Sequence, residues 1–503
     1  MQKQKKKFEL PHVYTIAFLL IILFAILTWI VPSGQFERTE METAAGTREV
    51  AVAGTYQEVP KVDAEGNDLR QGLAEILMAP TRGIQGASDV VAFVLLIGGS
   101  FAILTKTNAI NAGMSRVIKK LKGKDILLIP VVMILFSIGG TSFGMSEEAL
   151  PFYAIFLPII MSLGYDSMTA FMVCFLGPQM GYIGSTVNPF NVLIAQGVAG
   201  IQGNPQLWFR FIQYAVFTLI GIVWVMMYAR KVKKNPQGSI TYKDDFAKRE
   251  EFAVEGINAD MPFTLRQKLV LIVFAVGMGI IVWGLVTRGW YMDEISMVFL
   301  AIGLLSGIVG GLGEKEMAEE FVKGMADFVY AAVIIGIARG ILVVAEGGMI
   351  IDTILNGLAN LLAGVPTAVF TTMMYFAQAF LSILVPSSSG LAALTMPVMA
   401  PLTDLMGVNT EASVTALCIA NQTMNTISPT AGMTVAGLAV CKISFPQWWK
   451  TCWKFMIVVV VVGVVFTAIS GMLPACRFFH LTARPPRGAA APGAALCVNA
   501  APA

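Results

Sequence analysis

Two stretches of this chain, residues 136–196 and 381–437, repeat one alternation of long apolar runs and short polar interruptions. The first reads FSIGGTSFGMSEEALPFYAIFLPIIMSLGYDSMTAF and later LGPQMGYIGSTVNPFNVLIAQ. The second reads LSILVPSSSGLAALTMPVMAPLTDLMGVNTEASVTAL and later NQTMNTISPTAGMTVAG. In each, a tip rich in small and hydroxyl residues (140–144; 386–390) interrupts an apolar run, and a second apolar arm follows. A long apolar helix comes next, broken by a Ser/Thr/Asn/Pro patch (184–191; 421–430). At membrane depth, irregular backbone survives only where protein covers it or a wet cavity receives it. Paired Gly/Pro-interrupted apolar segments in two halves therefore point to the central site of a secondary transporter.

Of the 503 residues, 56% are hydrophobic and 13% charged, against about 25% charged in an ordinary soluble chain. Apolar runs recur at the length needed to cross roughly 30 Å of hydrocarbon. The expected fold is an all-α polytopic membrane protein, an inverted repeat with two re-entrant hairpins and two broken transmembrane helices. The six cysteines are scattered without ligand spacing, which argues against a disulfide framework and a zinc site. With His12 and His480 as the only histidines, a histidine metal site or catalytic triad is out of reach. The net charge of +3 is spread over loops and presents no face to nucleic acid. No cofactor or resident metal is expected; a coupling ion, transient sodium or a proton, stays open.

Charge placement orders the segments. Residues 1–32 are a basic head and a first helix, whose apolar part (13–31) is too long for a signal peptide and lacks its cleavage site. The positive-inside rule places this N-terminus in the cytoplasm, in a bacterial cytoplasmic (inner) membrane. Residues 33–75 are acidic and read as an extracellular loop. The first inverted repeat is 76–229, the cytoplasmic linker 230–268, the second half with its repeat 269–475, and 476–503 a disordered tail. Within the first repeat, residues 106–124 set Ile110, Met114, Val117, Ile118 and Leu121 at helical spacing among basic residues, as in a helix lying in the cytoplasmic interface. Residues 346–364, without Lys or Arg, look like its extracellular counterpart. If both arms of 125–164 crossed the bilayer, the basic linker would land outside, so a hairpin entering from the cytoplasm is favoured; 365–407 would enter from the other side. Spans near 269–286, 294–312 and 328–344 leave 313–324 as a cytoplasmic loop, although it is net acidic. The last span is 455–473.

The first broken helix offers Ser185, Thr186, Asn188 and Asn191, the second Asn421, Asn425, Thr426, Ser428 and Thr430. Unwinding at proline frees carbonyls and half-helix ends that hold cations or polar substrate groups. The alternative is that such residues merely glue helices together. The tips add Thr141, Ser142 and Ser146 on one side and Ser387, Ser388 and Ser389 on the other. Glu147 and Glu148 follow the first tip, where an ionisable group inside the membrane is functional by default. Their functional reading is a carboxylate holding a cationic substrate, sodium or a proton; their structural reading is a pair with Arg339 in the 328–344 span. Asp166 and Asp404, at hairpin ends, read as solvated or capping.

On these residues the chain resembles the YfcC-type basic amino-acid antiporters, within the anaerobic four-carbon-dicarboxylate carrier family (DcuC-like) of the ion-transporter superfamily. The features are FGMSEEA at 143–149, NPFNVLIAQGVAG at 188–200, SSSGLAALTMPVMAPLTDLMGV at 387–408, SPT at 428–430 and YARKVKKNP at 228–236. The resemblance implies a homodimer with a fixed scaffold and an elevator-like transport domain, and sodium or substrate bound by Ser/Asn/Thr motifs at tips and breaks. Of these motifs, Ser185-Thr186 and Asn425-Thr426 come near, without a clean Ser-Asn-Thr spacing.

The expected function is alternating-access transport of small charged metabolites. Carboxylates at the first tip and few basic residues at depth favour an arginine- or ornithine-like substrate. The alternative is a cation-coupled or exchange carrier of succinate, fumarate or malate, which would want basic groups, sodium or half-helix N-termini. A membrane enzyme lacks a nucleophile with a plausible base. A channel fits paired broken helices less well than a carrier does. The partners expected are a small-molecule substrate, the lipid bilayer and a second copy of the chain.

Overall fold

The computed structural model describes residues 13–473 except 44, 45, 53, 63, 64, 114, 115, 117–124, 202, 203, 252–262, 289, 291 and 364. The basic head, most of the basic interfacial segment and the tail expected at 476–503 lie outside the described residues. The rest is almost entirely helical, because a chain in hydrocarbon must satisfy its backbone polar groups within each segment. Six described helices are long and apolar enough to cross a bilayer.

After Val13–Ile30 come Leu73–Gly86 and Ser88–Lys106, then two arms, Leu128–Phe143 and Leu150–Ser162, joined by the first tip. Ser167–Ile183, a π-helical turn Pro189–Leu193 and Ile194–Val198 form the first broken helix, and Leu207–Lys234 follows. In the second half, Leu265–Arg288, Met292–Gly310, Glu314–Gly347 and Ile351–Ala363 precede two arms, Thr367–Leu384 and Ser388–Leu405. Glu411–Ile427 and Gly432–Val440 form the second broken helix, and Phe445–Met472 closes the described chain. The order of two arms, interrupted helix and long helix thus occurs twice. In each half both arms pack on the first segment of the broken helix. Arm meets arm through Phe136 with Phe152 and Phe156 (5.1 and 5.8 Å) in one half and Gln378 with Thr395 (3.1 Å) in the other.

Two expectations are corrected. Residues 313–324 are not a loop but the opening turns of the 34-residue helix Glu314–Gly347. Its Glu314 and Glu316 suit the positive end of a helix dipole, and Glu320 takes Lys106 at 2.8 Å. Residues 33–75 contain ordered β-structure: β1 (Gly34–Gln35) pairs with β4 (Gln57–Glu58), and β2 (Arg38–Thr43) with β3 (Gly46–Ala51), both antiparallel. This ribbon is tied to the second half by Asp352, which accepts from Phe36 N (3.0 Å) and from the Arg38 guanidinium (2.8 and 2.9 Å). The linker carries a helix, Tyr242–Glu251, that buries Asp245 and Lys248. Asp245 accepts from Ser167 N and Oγ at 3.0 and 2.5 Å, at the start of Ser167–Ile183, which Asp166 caps by accepting from Thr169 N at 2.8 Å.

Candidate functional site

The first tip begins where Leu128–Phe143 ends at Gly144, whose φ of +76° is left-handed. A Cβ there would also lie 2.9 Å from the Asn188 side chain, so both conformation and space require glycine. A 3₁₀ turn, Glu147–Ala149, leads into the second arm. Glu148 is buried, its carboxylate accepting from Ser146 N at 2.9 Å. Gly140 lets the arm lie against the broken helix, since a Cβ would fall 2.1 Å from the Pro178 carbonyl.

Several predicted site residues stitch this tip to the first break. Thr141 Oγ1 donates to Gly184 O at 3.0 Å, and Thr186 N donates back to Thr141 Oγ1 at 3.1 Å. Asn188 Nδ2 donates to Gly140 O (3.1 Å) while its Oδ1 accepts from Phe190 N (2.8 Å). Asn191 Nδ2 donates to Ser185 Oγ (2.8 Å), which donates to Tyr182 O (2.6 Å). Ser142 bonds back to Ile138 O on its own helix. These groups spend their bonding capacity on backbone that the break leaves open.

The second tip turns at Pro386 and restarts as a helix capped by Ser387 Oγ, which accepts from Gly390 N at 3.3 Å. Ser388 Oγ donates to Asn421 Oδ1 (2.8 Å) and accepts from Gln422 Nε2 (2.6 Å). Asn421 and Asn425 both donate to Pro386 O, at 3.3 and 2.8 Å. Asn421, Asn425 and Thr426 stay helical; the interruption itself is confined to 428–431, where Ser428 and Thr430 hydroxyls meet at 2.6 Å. Thr426 Oγ1 donates to Gln422 O at 2.8 Å.

Both tips face one cavity of about 400 Å³. Of the predicted residues, Ser146, Glu147, Glu148, Ser387, Ser388, Ser389, Asn425 and Thr430 line it. Thr141, Ser142, Ser185, Thr186, Asn188, Asn191, Asn421, Thr426 and Ser428 are not in its wall. Residues not expected in the wall include Asp89, Gln179 and Gln422. Gln179 and Gln422 could have been found as glutamines inside apolar helices, a few residues before each break; Asp89 reads as an ordinary first-turn acid. Arg339 also lines the cavity, and the Glu–Arg339 ion pair considered above is not formed. Among the described residues the wall therefore holds three carboxylates, Asp89, Glu147 and Glu148, against one guanidinium. Asn425 is 9% exposed and its Oδ1 has no hydrogen-bond partner. Burying an unpaired acceptor costs about 1–3 kcal/mol, a cost that a ligand with a donor would relieve.

Away from the cavity, Arg210 and Glu411 form a buried ion pair at 2.5 Å, with Gln196 Nε2 donating to Glu411 at 2.6 Å. Gln196 thereby joins the end of one broken helix to the start of the other, and Arg210 adds the long helix Leu207–Lys234. Nothing in the spacing of residues 201 apart announces the ion pair.

Helices fit to cross a bilayer, two interrupted helices and two polar tips lining one charged cavity make this a membrane transport protein. The chain belongs to the C4-dicarboxylate anaerobic carrier (DcuC) family, whose model matches residues 10–471. It is 35% identical over 480 residues to YfcC of Escherichia coli strain K12, whose name proposes a basic amino acid antiporter (89% of this chain, 94% of YfcC). It is 32% identical over 510 residues to an uncharacterized protein of Haemophilus influenzae (93% of this chain, 98% of that protein). Among solved structures, it aligns with MtrF of Neisseria gonorrhoeae, an antimetabolite efflux pump, at 19% identity over 93% of this chain and 96% of MtrF. It also aligns with the YdaH transporter of Alcanivorax borkumensis at 13% identity over 91% and 98%. Both alignments have a TM-score of 0.41, a likeness that supports no conclusion about this chain. The family and relatives define a multi-pass membrane transporter of small molecules and not an enzyme.

Proposed function

We propose that this protein is a secondary antiporter of basic amino acids, arginine- or ornithine-like, working by alternating access at the cavity between the tips. The observation that carries this reading is the excess of carboxylates over guanidinium in the cavity wall. A cationic amino acid brings two cationic groups and one carboxylate, a net positive charge for a wall in which carboxylates outnumber the guanidinium. A four-carbon dicarboxylate would bring two more negative charges. Each like-charge pair at about 5 Å costs roughly 3 kcal/mol at an effective dielectric of about 20.

The second reading, exchange or cation-coupled transport of four-carbon dicarboxylates, rests on the family's description. It would need protons or sodium ions to travel with the solute to neutralise this wall. The deciding experiment is counterflow in proteoliposomes preloaded with unlabelled arginine or succinate, each label supplied outside, with and without sodium. Arginine counterflow without a sodium requirement is expected. Sodium-dependent succinate flux with no arginine flux overturns the reading.

A further inference from the structure

We propose that Arg339 holds the carboxylate of the transported solute, so that the cavity takes α-amino acids with a cationic side chain and rejects the corresponding amines that lack the carboxylate. The inference rests on the basic amino-acid reading and sharpens it. Arg339 lies in the long helix Glu314–Gly347, within a stretch otherwise apolar or glycine from Val329 to Ala345 except for Tyr330. A guanidinium at such a position is expensive and is ordinarily neutralised by a partner. Arg339 has no hydrogen bond or ion pair among the described residues, and its buried Nε is unpartnered. The neighbouring helix ends in Gly86, where even a Cβ would sit 3.7 Å from that Nε. Glycine thus leaves the flank of the guanidinium unfilled.

The position of Arg339 is as telling as its bonding. Arg339, Leu342 and Ser387 line both the central cavity and a second one of about 580 Å³ beside the N-terminal ribbon, so the guanidinium stands where the two adjoin. The second cavity has one other arginine, Arg38, but its guanidinium is already engaged by both oxygens of Asp352. Glu346 lines the same cavity on the helix of Arg339 and makes no ion pair with it. Arg339 is therefore the guanidinium in either chamber that no carboxylate engages, among the described residues. Its planar fork matches a carboxylate through two parallel hydrogen bonds, which a lysine cannot reproduce. With Arg339 on the carboxylate, Asp89, Glu147 and Glu148 in the central wall remain for the ammonium and the cationic side chain.

The test compares arginine with agmatine, and ornithine with putrescine, in binding to purified protein and in proteoliposome counterflow. Wild-type protein is expected to favour each amino acid over its decarboxylated partner by about tenfold or more, the worth of a charged hydrogen-bonded contact. Arg339→Gln is expected to weaken arginine by about 10- to 100-fold while leaving agmatine unchanged or improved. Arg339→Lys is expected to fall between, since charge is kept and the fork is lost; it also serves if the glutamine variant does not fold. Equal losses for arginine and agmatine in a folded variant would make Arg339 a structural residue and overturn the proposal, as would no change for either. Wild-type protein that moves succinate and neither cationic solute would instead overturn the basic amino-acid reading, and this discrimination with it.

Discussion

At the first tip the chain turns through Gly144 and a 3₁₀ turn and sets Glu147 and Glu148 on the cavity wall. At the second it turns through Pro386 and sets three neutral serines there. The breaks beside them differ in the opposite sense. Around the first, Thr141, Thr186, Asn188 and Asn191 bond to one another and to backbone. Beside the second, Asn425 keeps its Oδ1 free. One architecture used twice has thus been given two chemistries: charge at the first tip, and neutral groups with an open acceptor at the second. The polar residues at the first break bond the tip that carries those carboxylates to the broken helix.

The comparison breaks most easily at its charged end. Glu147→Gln and Glu148→Gln are expected to lower counterflow of a cationic amino acid by about 100-fold or more, while inserted protein stays folded by size-exclusion chromatography. Normal transport by both variants would remove the charge asymmetry as an explanation of function. Next in size, Gly144→Ala should destabilise the protein by about 2 kcal/mol or more, seen as a lower melting temperature, because it is forced into a left-handed backbone against Asn188. Asn188→Ala should cost about 1–3 kcal/mol of stability by orphaning Gly140 O, with affinity for the solute kept within a few-fold in the protein that folds. A large loss of affinity at unchanged stability would show that the first break does bind solute. On the other side, Asn425→Leu is expected to weaken binding by about tenfold at a stability cost of about 1 kcal/mol or less, since it removes an unpaired buried acceptor along with one of the two donors to Pro386 O, and Asn421 keeps the other. Ser142→Ala should be the smallest change, within about 0.5 kcal/mol, because its hydroxyl only returns to Ile138 O.

Long apolar runs, the glycine and proline interruptions and the two charges after FGMS were legible in the chain, because hydrocarbon tolerates so few alternatives. They were enough to locate both tips, both broken helices and Glu147 and Glu148 in the cavity wall. Which threonine or asparagine faces that wall was not legible. Asn188 and Asn425 are the same residue type beside matching interruptions, and they part company only because Gly140 O and Phe190 N use up both ends of one amide, whereas nothing reaches Oδ1 of the other. The acidic stretch before residue 324 read as a loop because charge was weighed without the helix continuing above it. The Arg210–Glu411 pair and the anchoring of Arg38 on Asp352 join residues hundreds of positions apart. By itself the sequence determined a helical membrane protein with two interrupted, paired segments, since patterning along the chain is a local property set by the solvent. Only the tertiary structure decided which polar groups are spent on one another and which are left without a partner, because hydrogen-bond satisfaction depends on neighbours that the chain brings from elsewhere.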